Sequence, residues 1–335
     1  MRFARLRARA EAAWEHANRR WAPWLSLASG ITTAVLWRQG IDVVRASIAL
    51  CSAAGVVAVF SLFPPGAPHP SDGADGRWRR RARAAASFLG VGLAQNALWF
   101  VIPFYALATT WSSRNAPFTL LLGGLAVLSC FEEVFRRRVL ENRRRAAAFV
   151  ALTQLAALQL LLPVLTGLAP RHAVVAAGAL AAASATPLAL PLHLRGTRAA
   201  GAGLAGAVLG AALAWGLLPC LAPVPLRLGG VSFARGHGAL EPESPLAEAP
   251  AGGGPVYVFV AVEAPKGVHE RVRLALRSGS HALTSRALEI EGGRSGGYRL
   301  WAELAAEPGR PLVAQLRTEG NQLVGGAILA PAPAP

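Results

Sequence analysis

The sequence is poor in charge: only 16% of its 335 residues are charged, while 53% are hydrophobic. An ordinary soluble domain carries about 25% charged residues, so the composition argues against a cytosolic enzyme. Lysine is nearly missing, and of 34 basic residues all but Lys266 are arginine. Cysteine is scarce too. Cys51, Cys130 and Cys220 all precede residue 222, so no disulfide framework holds the C-terminal part together. It must fold on its own core, which about 110 residues can supply. The chain also lacks a G-x-x-x-x-G-K-[ST] phosphate loop, an H-E-x-x-H helix and a CxxC pair. Their absence removes the sequence grounds for ATP-driven transport by this chain and for zinc or dithiol chemistry. We expect no catalytic residue, no metal and no cofactor.

The formal net charge of +16 is unevenly spread. Residues 1–222 carry 23 basic and 8 acidic side chains, whereas residues 223–335 carry 11 and 10. An apolar, Arg-studded half thus precedes a polar, balanced one. The first half holds seven apolar runs, at about 21–37, 44–63, 86–110, 116–135, 147–168, 172–194 and 199–222. Each is long enough to cross a bilayer as a helix, the conformation that satisfies its own backbone in hydrocarbon.

Arginine then orients the spans. The N-terminal segment has Arg2, Arg5, Arg7, Arg9, Arg19 and Arg20, and the second loop Arg77, Arg79, Arg80, Arg81 and Arg83. The fourth has Arg136, Arg137, Arg138, Arg143, Arg144 and Arg145, and the sixth Arg195 and Arg198. Against these nineteen, the alternate connections hold only Arg38, Arg45, Arg114 and Arg171. Positive residues stay cytoplasmic. The N-terminus is therefore expected inside, and residues 223–335 on the periplasmic side of a bacterial inner membrane. Trp21, Trp24 and Trp37 bracket the first run and Trp78 and Trp111 flank the third, as an interfacial belt requires. A signal peptide ending after Ala28 is the alternative for the first run, but its apolar stretch continues to Trp37 and stops on Arg38. Phe3, Leu6, Ala10, Trp14, Ala17 and Trp21 recur at helical spacing, so residues 1–20 suit an amphipathic helix on anionic lipid. No stacking platform or groove-reading motif accompanies the arginines, and no nucleic-acid partner is expected.

No ionisable residue falls near the middle of a run. Glu132 and Glu133 sit beside Arg136, Arg137 and Arg138 at a cytoplasmic end, and Asp42 with Arg45 at an outer one. Four amides do fall within the runs: Gln95 and Asn96 in the third, Gln154 and Gln159 in the fifth. Such groups either tie helices together or line a small polar cavity. Gly206 and Gly210 make a small-xxx-small pair suited to close packing, and Pro103, Pro163, Pro187 and Pro191 are expected to bend their helices. The cysteines and His172 and His193 fall at different depths, so no metal cluster forms.

Beyond 222 the texture changes. Residues 223–254, with the Pro/Gly/Glu/Ala-rich stretch 235–255, read as an extended linker. Period-two alternation then predicts six strands: Val256–Glu263, Arg271–Arg277, His281–Ile290, Gly297–Leu304, Leu312–Thr318 and Gln322–Leu329. Ser278-Gly279 suits a tight hairpin. The expected fold is an α-helical membrane domain of seven transmembrane helices followed by a small all-β antiparallel sandwich-like domain. Its parts are a basic segment 1–20, the helices 21–222, the linker 223–254, the β domain 255–330 and a disordered tail 331–335. In the loop-to-strand segment 291–301, Gly292, Gly293 and Gly297 are structural glycines. Arg294, Tyr298, Arg299 and Trp301 are candidates for binding an anionic, glycan or protein partner, with an arginine stacked on the tryptophan.

Three motifs run through this domain. Gly267, Glu270 and Arg271 make Gly-x-x-Glu-Arg. Gly292, Gly293, Arg294, Gly297, Tyr298, Arg299 and Trp301 make Gly-Gly-Arg-x-x-Gly-[Tyr/Phe]-Arg-x-Trp. Gln322, Leu323, Val324 and Gly325 make the end of Gly-Gln-Leu-[Ile/Val]-Gly, with Asn321 in place of its first glycine. They resemble the C-terminal domain of an uncharacterised bacterial multi-span membrane-protein family, a domain of unknown function of the 2914/5924 type. The resemblance is specific over about 70 residues and extends to the helical half only by layout. It implies an architecture and no activity. An aromatic usual after the first strand is absent here.

Two functions follow as expectations. One is a non-enzymatic inner-membrane protein whose periplasmic β domain binds an envelope component or partner protein. The alternative is a small channel or transporter using Gln95, Asn96 and Gln159. A membrane-embedded transferase would need an acid, base or nucleophile that the spans do not hold.

Overall fold

The computed structural model describes residues 24, 26–32, 43–63, 74–190, 195–238, 241–285, 287–294 and 296–332. The basic segment 1–20, most of the first run, Asp42, Pro191, His193 and the last three residues lie outside them.

The helices are α1 (Val43–Leu62), α2 (Ala74–Ala108), α3 (Ala116–Cys130), α4 (Glu132–Phe135), α5 (Arg143–Thr166), α6 (Pro170–Ala189) and α7 (Arg195–Gly216). Local chemistry sets their ends. Asn142 caps α5 by accepting from the Arg144 and Arg145 backbone N–H groups at 3.0 and 3.2 Å, and Gly167 ends it in the left-handed region (φ 68°). Pro170 opens α6.

Five of these helices (α1, α2, α5, α6 and α7) contain segments long and apolar enough to cross a membrane. The fourth expected run is not one helix. It breaks at Phe131, and α3 meets the following piece, α4 with a π-turn over Arg136–Leu140, at 111°. Two carboxylates suit the first turn after the break, where Glu133 pairs with Arg136 and Arg137, each at 2.7 Å. Counted as one span, this bent pair raises the total to six among the described residues. Of the first run, residues 26–32 are helical. There Gly30 leaves room for the Trp99 indole of α2, with which an added Cβ would collide.

Large apolar side chains point outward: Phe88, Leu89, Leu120, Leu121, Leu204, Val208, Leu209 and Leu213 are all exposed. Water would be a poor solvent for so much uncovered hydrocarbon; lipid is a good one, so the chain associates with a membrane. Inside, aromatic and aliphatic side chains such as Phe100, Tyr105, Phe135, Phe149 and Leu160 form one core. Helix α7 packs on α6 through small residues. A Cβ on Gly210 would strike the Gly178 carbonyl oxygen, and one on Gly206 would strike Thr186 Oγ1.

Among the described residues the β domain has ten strands: β1 (Arg227–His237), β2 (Pro242–Pro245), β3 (Glu248–Ala249), β4 (Gly254–Glu263), β5 (His269–Ser278), β6 (His281–Thr284), β7 (Leu288–Glu291), β8 (Tyr298–Ala306), β9 (Leu312–Thr318) and β10 (Leu323–Pro331). They form two sheets, ordered β2-β1-β4-β8 and β3-β10-β9-β5-β6, with β7 also paired to β5. Side chains from both sheets, among them Val258, Val260, Leu300, Leu274, Leu276 and Leu316, share a second core.

Expectations for the β domain are corrected too, and Pro331, expected in a disordered tail, closes β10 opposite Ala249. The stretch 223–254 is not an extended linker, because it supplies β1, β2 and β3, and β1 lies inside its sheet between β2 and β4. Gly229, Gly230 and Gly236 blur its alternation, and pairing with β4 supplies the order. The sheets are not purely antiparallel, since β3 runs parallel to β10. The expected strand His281–Ile290 is two strands. At Ser285 the chain leaves the ladder, and its N–H and Oγ bond Leu274 O and N at 2.8 and 2.9 Å. The Ser278-Gly279 hairpin is present, with Ser278 paired to His281 and Gly279 at φ 57°.

Candidate functional site

The binding residues expected on β8 separate by strand alternation. Arg299 and Trp301 face outward from the four-stranded sheet, whereas Tyr298 is half-buried and packs towards the β core. Arg294 lies over the Tyr298 ring, its Cζ 4.8 Å from the centroid. The expected arginine on Trp301 is replaced by a histidine. The His237 ring stacks on the indole at 4.5 Å and 20°, and Tyr257 meets both rings, at 4.8 Å from His237 and 5.8 Å from Trp301. Arg299 instead pairs with Glu241 at 3.4 Å. Trp301 remains 37% exposed and directly opposes Phe259 of β4. The result is an outward aromatic strip at the far end of β1, His237 being the last residue of that strand.

The loop glycines hold this strand's entry in place. A Cβ on Gly292 would collide with the Pro265 carbonyl oxygen, and Gly293 and Gly297 have φ of 95° and 77°. The loop can therefore lie against residues 262–266, with Gly293 N–H bonded to Ala264 O at 2.9 Å. Gly293→Ala is expected to destabilise the domain by about 1–3 kcal/mol, read as a lower urea midpoint; an unchanged midpoint would remove the positive-φ argument.

The four intramembrane amides all bond to other helices or to the chain leaving them. Gln95 accepts from Ser26 Oγ at 3.1 Å and donates to Ser129 O; Asn96 donates to Ser52 Oγ at 2.9 Å. Gln154 donates to Ala53 O, and Gln159 donates to Ala222 O at 2.7 Å while accepting from Tyr105 Oη at 2.8 Å. Among the described residues no group of three or more His, Cys, Asp or Glu is placed to hold a metal ion.

A second polar cluster lies where the β domain meets the helices, and sequence reasoning missed it. Arg171, in the first turn of α6, pairs with Glu319 at 2.9 Å, and Arg271 approaches the same carboxylate at 4.0 Å. Gln322 is completely buried and donates to Leu221 O at 3.2 Å, and Asn115 donates to Leu323 O at 3.3 Å. The turn between β9 and β10 fits here because Gly320 lies against Leu218 and Arg171, and Asn321 takes φ 61°. Asparagine tolerates that region better than most residues, which accounts for it where the motif has glycine. Glu270 is 3% exposed. Its Oε1 accepts from Arg271 N at 3.0 Å, and among the described residues its Oε2 and the Gln322 Oε1 have no hydrogen-bond partner. Burial raises the Glu270 pKa, and the nearby Glu319 charge adds to this. The Arg271 and Arg171 backbone N–H groups and the Arg171 charge oppose it without prevailing. A signal was present in the sequence: Glu270 shares the phase of Val272, Leu274 and Leu276, a carboxyl on the core face of an alternating strand.

Comparison with known proteins adds little chemistry. No curated protein matches. Among solved structures, the Pseudomonas fluorescens alkylpurine DNA glycosylase AlkC bound to DNA containing an abasic site analog is 14% identical over 86% of this chain and 98% of that one. Its TM-score of 0.23 is too low to support an argument. The matched family falls on different residues from the C-terminal motifs that suggested a resemblance. From within α2 through β1, over residues 78–241, the chain is similar to a family of unknown function (DUF5924).

Proposed function

We propose that this is a non-enzymatic integral protein of the bacterial inner membrane, with seven helices, a cytoplasmic N-terminus and a periplasmic, sandwich-like β domain that binds an envelope glycan or partner protein. The observation that carries this reading is the aromatic strip of His237, Tyr257 and Trp301, bordered by Arg299 and Glu241, on the outer face of a sheet whose inner face is already packed. Exposed aromatics beside an arginine are what protein and sugar partners use as anchors. The Arg alternation between spans supports the orientation. The transport reading has no comparable support, because Gln95, Asn96 and Gln159 bond to neighbouring segments.

The test uses the full chain, since a fragment starting at 255 would lack β1, the neighbour of β4. A photo-crosslinker at exposed Glu303 should capture one envelope partner in cells, and Trp301→Ala should cut that yield at least tenfold, about 1.4 kcal/mol or more. Equal yields from both proteins would reject the aromatic strip as the binding face. The location has its own readout. Alkaline carbonate should leave the chain in the membrane, and protease added to spheroplasts should remove the β domain.

A further inference from the structure

The outer face of the six-stranded sheet carries a different chemistry. Strand β5 presents Arg271, Arg273 and Arg277 outward, in alternation with the buried Val272, Leu274 and Leu276. Along one edge β5 pairs with β6 up to Ala275 and Thr284, and with β7 from Val272 and Leu288. Between these pairings, beside Arg273, the sheet opens into a groove of about 610 Å³ whose lining includes Arg271, Arg273, Thr284, Ser285 and Glu289. On the other edge, Arg273 lies directly opposite Arg317 of β9.

Like charges directly opposite in a sheet repel, and here neither is neutralised. Arg273 has no hydrogen bond or ion pair among the described residues. Arg317 donates only to neutral acceptors, Asn321 Oδ1 at 3.1 Å and Gln315 Oε1 at 3.0 Å. Arg271 has its nearest carboxylate at 4.0 Å, on a Glu319 that Arg171 holds more closely at 2.9 Å. Glu289 is the lining carboxylate, opposite Arg271 in the ladder. Two guanidinium groups thus face one carboxylate in a groove of small-ligand size, with a third guanidinium at its edge.

From this arrangement we infer an anion site for a phosphate ester. The planar forks of Arg273 and Arg271 suit phosphate oxygens, the Thr284 hydroxyl supplies a neutral donor, and the Glu289 carboxylate accepts from a hydroxylated remainder such as glycerol or sugar. A bound anion also relieves the Arg273–Arg317 repulsion. The site adjoins the helical domain, because the turn that Arg317 bonds at Asn321 rests on Leu218 and Arg171. Phosphate esters of lipid headgroups and of soluble molecules share this chemistry. The aromatic strip lies on the other sheet, so either site can fail without the other.

The experiment uses the full chain in maltoside micelles. Glycerol 1-phosphate is titrated by calorimetry, and bound phosphatidylglycerol is counted by native mass spectrometry against phosphatidylcholine. Arg273→Gln should weaken the ester at least tenfold. Arg273→Lys, which keeps the charge without the fork, should give an intermediate loss, and Arg310→Gln none. Arg clusters elsewhere bind anionic lipid in every variant, so the lipid readout is the difference from wild type: one phosphatidylglycerol fewer in Arg273→Gln. Loss of ester and lipid together supports a headgroup site, and loss of the ester alone supports a soluble one. Should Arg273→Gln not fold, Arg317→Gln carries the same expectation. Absence of ester binding, or binding unchanged in the Arg273 and Arg317 variants, overturns the site.

Discussion

Gly210→Ala is expected to lower the melting temperature of the helical domain, whereas Gly123→Ala should hold it or raise it. An added methyl at 210 would meet the Gly178 carbonyl oxygen and lie 2.5 Å from the Ala182 Cβ. Neither obstacle is the free end of a flexible side chain, so α6 and α7 must separate. Such overpacking costs about 1–3 kcal/mol. At Gly123 in α3 nothing lies within 4 Å of the added atom, and alanine gains up to about 1 kcal/mol over glycine in a helix. Opposite signs from one chemical change separate packing from propensity. Circular-dichroism melts in maltoside read both; a common sign would mean that α6 and α7 do not meet through backbone. The contact matters because α7 turns Leu204, Val208, Leu209 and Leu213 outward. Its small-residue face is what ties it to the bundle, and its C-terminal end leads through Leu218–Cys220 into β1.

The second large effect belongs to the joint between helices and β domain. Gln322→Ala removes the donor to Leu221 O in a fully buried setting. A buried carbonyl left without its partner costs about 1–3 kcal/mol, and the cavity adds to that. Hydrogen exchange should therefore rise at least tenfold at residues 218–226 and 319–325, while the β4–β8 ladder stays protected. Equal acceleration in both regions would mean that Gln322 supports the β domain itself and not its attachment.

Glu270 gives the same joint a pH dependence. Its folded pKa is raised, so the docked state binds a proton that the free carboxyl gives up at lower pH. Its contribution is present below the ordinary carboxylate range and is lost as pH rises through the raised value. Protection of the joint should fall across that window and level off above it. Glu270→Gln, which stays neutral, should flatten the profile even though Arg171, Arg271 and Glu319 remain. A joint that instead tightens with rising pH, or an unaltered profile in Glu270→Gln, would assign the effect to Glu319.

Sequence reading succeeds elsewhere, where the signal is local. Apolar runs of sufficient length became helices at five places, because backbone satisfaction in hydrocarbon leaves a chain few alternatives. Alternation placed β4, β5, β8, β9 and β10, and it separated Trp301 from Tyr298 by face. It missed β1, whose glycines blur the period, and the break at Phe131, where the backbone leaves the helical region inside an apolar run. Asparagine at 142 and glycine at 167 are local signals, and they cap and end α5 as such residues do.

What the sequence determined by itself is therefore local: which segments are greasy enough for lipid, which alternate, and where a turn needs glycine. The tertiary structure decided the pairings. His237 meets Trp301 from 64 positions away, Gln322 meets Leu221, and Arg273 lies opposite Arg317. Periodicity is a property of neighbouring residues along one chain. The partner of a side chain depends on which surfaces the packed cores bring together, and no local pattern encodes that.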